Sequence, residues 1–132
     1  MNSDDPRYGT EVRCRMAALT GAGDLPPGDD VVRARTGDRE RGAEVVLAVR
    51  VADGQAAELR FRAFGCPHFM AAASWLTDRL RGAGRAAFAD WDWREVATAL
   101  DVPPVKYGRL LVLQDAVHEL AGKWPGHGPA TV

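Results

Sequence analysis

Residues 44–67 read EVVLAVRVADGQAAELRFRAFGCP, two strands, the turn between them and the start of a helix. Glu44–Val51 is rich in β-branched residues and predicts a strand. Asp53-Gly54 follows, a strong hairpin signal, because a tight turn asks for positive φ at both central residues. Ala57–Phe64 then alternates: Leu59, Phe61 and Ala63 share one face, and Glu58, Arg60 and Arg62 share the other. That pattern belongs to an antiparallel strand buried on one side and wet on the other. The strand stops at Gly65-Cys66, and Pro67 suits the first position of a helix, where its missing N–H costs nothing.

Downstream, Phe69, Ala72, Ala73, Leu76 and Leu80 recur at helical spacing until Gly82 and Gly84 end the element. Asp90 or Asp92 is placed to cap a second helix carrying Trp93, Val96, Ala97 and Leu100 on one face. Val102-Pro103-Pro104 breaks the chain. A third helix runs from Val105 or Lys106 to Ala121, with Val112, Leu113, Ala116, Val117 and Leu120 inward, and Gly122 stops it. Trp124–Val132 reads as a Gly/Pro-rich tail. Upstream, Tyr8–Leu19 has helical character, with Val12, Met16 and Leu19 on one face. Thr20–Asp30 is a loop, Val31–Arg35 a short strand, Thr36–Arg41 a polar loop or turn, and the first seven residues a tail. Helix, short strand, hairpin and three helices predict an α+β fold: a small three-stranded antiparallel sheet with helices packed on one face.

The chain has 132 residues, 46% hydrophobic and 27% charged. This length predicts one domain over residues 1–132, burying about 68% of its unfolded surface. A net charge of −1 lacks the basic footprint of a general nucleic-acid binder. No run approaches the roughly 18 apolar residues of a membrane span. The acidic, polar start predicts no signal peptide. With only Cys14 and Cys66, the expected compartment is a reducing cytoplasm, without a disulfide framework. The 15 arginines against 2 lysines are scattered and read as the mark of a GC-rich genome.

Cys66 carries the chemical interest. A strand-to-helix corner puts it at a helix N-terminus, where partial positive charge favours thiolate over thiol. His68, two residues on, could add to this or act as a second ligand. The plainer reading is a small, buried, apolar cysteine. Cys14, between Arg13 and Arg15, reads as an incidental helix residue, His118 as a surface or rim residue, and His127 as part of the tail. The sequence has no CxxC, no HExxH, no Walker pattern and no GxGxxG. No enzyme is predicted.

The run Phe61-Arg62-Ala63-Phe64-Gly65-Cys66, the Ala-rich helix after it, and Val102-Pro103-Pro104-Val105-Lys106 together resemble the iron–sulfur cluster assembly scaffold family. This is the IscU type, also found as the N-terminal domain of NifU. The family's strand ends in RFKxxGC before an Ala/Ser-rich helix, and its LPPVK loop resembles VPPVK here. The resemblance covers about Tyr8 to Ala121, with a shortened segment around Ala22–Arg41. It implies a [2Fe–2S] cluster, or zinc, held by three cysteines plus an Asp or His. Residue by residue, the corner cysteine is Cys66. The leading-loop cysteine falls at Glu40 or Arg41, the Asp at Gly42 or Ala43, and the His-Cys pair at Gly108 and Arg109. One of the three cysteines therefore remains, with Arg41, Ala43, Gly108 and Arg109 at the positions of the lost ligands. Clusters are held mainly by thiolates, so no cofactor is expected on a monomer. A dimer pooling Cys66 and His68 from two chains would be the remaining route. The resemblance further implies a cysteine desulfurase near the corner cysteine and an Hsp70-type chaperone on the Val102–Lys106 loop.

Three readings follow. The first is a scaffold-like protein, degenerate at its cluster site, in an accessory or regulatory role in iron–sulfur assembly. The second is a protein-interaction module that reuses the fold without metal. The third is a thiol enzyme with Cys66 as nucleophile and His68 as base, which the divergent directions of i and i+2 side chains disfavour. An exposed Cys66 among cations favours the first, and a fully buried one the second. Arg41 and Arg109 converging near Cys66 would suggest an anion site in place of a cluster.

Overall fold

A computed structural model describes residues 8–126. The expected tail at residues 1–7, and residues 127–132 of the one expected at 124–132, His127 included, lie outside the described residues. The chain runs α1 (Thr10–Ala17), β1 (Val31–Asp38), a 3-10 turn (Arg39–Arg41), β2 (Ala43–Ala52), β3 (Gln55–Phe64), α2 (Pro67–Leu80), α3 (Arg85–Ala89), α4 (Arg94–Ala99), a second 3-10 turn (Pro104–Lys106) and α5 (Tyr107–Gly122). The architecture is the expected α+β: one antiparallel sheet in the order β1-β2-β3, with α2 and α5 packed on it and α1 packed on α2.

The hairpin forms as its sequence dictates. Asp53 and Gly54 take φ of 54° and 76°, the left-handed pair that a right-twisted hairpin requires. Leu47 faces Phe61 and Val49 faces Leu59 across β2 and β3. All four are buried, with Val45, under α2 and α5. The opposite face of the sheet is polar, and ion pairs such as Arg50–Glu58 and Arg35–Glu44 decorate it. Phe69, Ala72, Ala73, Leu76 and Leu80 are all buried along α2, the apolar stripe that helical spacing lays on one side.

Three expectations need correction. The first strand is longer than Val31–Arg35: it runs to Asp38, so Thr36–Arg41 is half strand and half 3-10 turn. Its polar end gives little pattern, yet β2 supplies backbone partners as far as Asp38↔Ala43. Second, four helices follow the sheet instead of three. The additional α3 is too short to show periodicity; Phe88 buries itself there and Arg85 Nε donates to Ala121 O at 2.9 Å. Third, Trp124 is no tail residue. It is buried, with its ring 4.8 Å from that of Phe88. Asp92, one of the two expected caps, accepts the Arg94 N–H at the start of α4.

Candidate functional site

The first 3-10 turn builds one wall of the site. The Asp38 side chain accepts the Glu40 N–H at 2.8 Å, and Gly42, at φ 86°, returns its N–H to Arg39 O. Arg39 is anchored over the Phe64 ring, 4.9 Å from its centroid, and pairs with Glu44. This fastened corner leaves Arg41 exposed. The facing wall is the first turn of α5. Pro103 and Pro104 set the extended approach, the 3-10 turn tightens it, and Gly108 and Arg109 follow at once.

Between the walls lies a cavity of about 600 Å³ lined by Arg41, Ala43, Gly108 and Arg109. These are the four positions where the resemblance puts lost ligands. A Cβ on Gly42 would stand 3.6 Å from the Arg109 guanidinium, so the two walls approach closely. Asp38 and Asp115 also face this space, and Gly37 and Val112 close its floor. Sequence reasoning missed Gly37 and Asp115 as site residues. A glycine inside the polar Thr36–Arg41 run was the available signal for the first, and the structure gives it φ 87°; nothing local marks the second.

Cys66 stands at the N-cap of α2, with Pro67 at the first helical position. It is half-buried against the core and carries a free thiol, as does the exposed Cys14. It belongs to the same end of the sheet as the cavity, because β2 pairs Glu44 with Phe64 there, but it does not line it. His68 is buried, stacks edge-on with Tyr8, and has no hydrogen-bond partner at Nδ1. Burial and the charges of Lys106 and Arg109 hold its imidazole below the ordinary pKa of 6.5. No acceptor at Nδ1 orients it as a base. His118, on the surface, bonds Trp91 O at 2.8 Å. In the Val102–Lys106 segment, Val102 is buried and Val105 is 84% exposed.

The donor set does not fit the cluster that the resemblance implies. One sulfur is present at this end of the sheet, and guanidinium groups occupy two of the walls. A guanidinium is always protonated and offers no lone pair to a metal. Among the described residues, no group of three or more His, Cys, Asp or Glu side chains is placed to hold a metal ion. Among them, too, no helix is long and apolar enough to cross a membrane.

Residues 11–128 match the model of the NifU-like N terminal domain family. The chain is 32% identical over 97 residues to the mitochondrial iron sulfur cluster assembly protein 1 of Schizosaccharomyces pombe, covering 72% of this chain and 50% of that protein. It is 30% identical over 90 residues to the Yarrowia lipolytica protein of the same name, covering 67% and 50%. The chain thus spans about half the length of the curated relatives it matches. In fold it is similar to a candidate iron–sulfur cluster assembly scaffold for the SUF system from Fervidobacterium islandicum AW-1. That likeness has a TM-score of 0.66 at 13% identity, covering 85% of this chain and 94% of the other. The N-terminal NifU-like protein of Brucella abortus aligns with a TM-score of 0.56 at 16% identity, covering 92% and 83%.

Proposed function

Because this chain belongs to the NifU-like N-terminal domain family, we propose that it is a scaffold-type protein of iron–sulfur cluster assembly whose own cluster site is degenerate. The observation that carries the reading is the cavity: Arg41, Ala43, Gly108 and Arg109, which the resemblance sets at ligand positions, line one space, and two of them are arginines. One thiolate does not hold a cluster. The protein then serves as an accessory or regulatory partner in assembly, working from its surfaces. Half-buried Cys66 remains able to accept sulfur. A donor persulfide would pass its outer sulfur to Cys66 and return as a thiol, with no net oxidation. Val105, exposed beside Pro103 and Pro104, gives a pre-ordered apolar contact to an Hsp70-type chaperone. The compartment proposed is a reducing cytoplasm, in keeping with two free cysteines.

The test is anaerobic reconstitution with iron and sulfide, read by visible absorption and iron quantitation, on the wild type and Cys66→Ala. The expected result is no bound iron and no charge-transfer bands in either. A stable chromophore that disappears in Cys66→Ala would overturn the degenerate-site reading.

A further inference from the structure

Nearly every described arginine is engaged by a partner. Nine form ion pairs. Arg13, Arg60 and Arg85 donate hydrogen bonds to a hydroxyl or a carbonyl. Among the described residues, only Arg41 and Arg109 do neither, and these two line the same cavity. They come from distant parts of the chain and from opposite walls.

Asp38 and Asp115 share the lining, so its formal charge balances, but the two arginines are not paired with them. Asp38 accepts the Glu40 N–H with one carboxylate oxygen, which holds it on its own wall. Asp115 lies further along α5, and neither aspartate comes within ion-pair distance of either arginine. The N-terminus of α5, a 16-residue helix, has no side-chain cap and no acid in its first turn, so its partial positive charge adds to theirs.

We propose that this cavity binds a small anionic molecule, gripping a carboxylate or phosphate group between Arg41 and Arg109. Guanidinium is the side chain suited to both oxyanions, because its fork meets two oxygens at once. A volume of about 600 Å³ is that of a small-molecule site and exceeds what a bare phosphate fills. The ligand is therefore an organic acid or a phosphorylated metabolite. Gly108 and Ala43 leave the walls open to it. The inference rests on the reading that these positions hold no cluster.

The test is an amide NMR titration of the full chain with inorganic phosphate and, separately, with citrate. Saturable shifts are expected at Gly42, Gly108 and Arg109, and the tighter anion assigns the class. Arg41→Gln and Arg109→Gln should each weaken binding at least about tenfold, or about 1.4 kcal/mol. Arg60→Gln, which removes a charge on the sheet, should leave it unchanged. Amides remote from the cavity report whether each variant stays folded. No saturable shift with either anion, or equal losses in all three variants, would overturn the site. Iron loading in the reconstitution would instead sink the functional reading, so the two failures are distinguishable.

Discussion

Gly37→Ala should cost far more stability than an alanine substitution at another left-handed glycine. Gly37 has φ 87°, and a Cβ there would stand 2.2 Å from Ala43 O and 2.8 Å from Val112 Cγ1. The backbone penalty alone is about 1–2 kcal/mol. The carbonyl belongs to the partner of Asp38 in the β1–β2 ladder and is not free to rotate away. Forcing the two strands apart adds an overpacking cost of about 1–3 kcal/mol. Gly82→Ala is the internal control, since Gly82 has φ 85° with nothing near its Cβ position. It should lose only the backbone penalty, about 1–2 kcal/mol. Urea denaturation followed by circular dichroism reads both, and each kcal/mol should lower Tm by about 3–6 °C at this chain length. If Gly37→Ala loses no more than Gly82→Ala, the close approach of β1 to β2 and α5 at this corner is wrong. The wall that carries Arg41 would then be misplaced with it.

His68 gives a pH prediction. Its folded pKa is lowered by burial, Lys106 and Arg109. The unfolded chain therefore takes up the proton first as pH falls below about 6.5, and stability present above that value is lost as pH falls further. His68→Phe should flatten this dependence in urea melts at stepped pH. Lys106→Gln or Arg109→Gln should raise the imidazole midpoint seen by proton NMR, and an unchanged midpoint would refute the electrostatic account. Val105→Asp should shift stability by no more than about 0.5 kcal/mol, because the side chain is exposed. The same variant should weaken binding to an Hsp70-type chaperone in a polarisation assay, and undiminished binding would remove that loop from the functional reading.

Much of the fold is legible in the residues because its signals are local. Alternation in Ala57–Phe64, the Asp53-Gly54 turn and the stripe from Phe69 to Leu80 each follow from one element's own periodicity. The end of β1 is not legible that way. Thr36 favours a strand but Gly37 and Asp38 do not, and their order comes from β2 and from Thr36 Oγ1 bonding Val112 O at 2.7 Å on α5. Trp124 looks like part of a tail because Gly and Pro surround it, and only the packing of α3 reveals its burial. His68 looks like a ligand beside Cys66 in sequence; the fold instead buries it against Tyr8 under two cations.

The α+β architecture and the helix corner at Cys66 are written in residue order. So is the count of cysteines, which already limits what the protein can ligate. These follow from residue type and short-range spacing. Packing is what brings Arg41 and Arg109 to one cavity and leaves both, among the described residues, without an ion-pair or hydrogen-bond partner. Charge in a sequence has no direction. Its partner is fixed when packed helices and strands bring remote segments together, and here they left two guanidinium groups facing the same space.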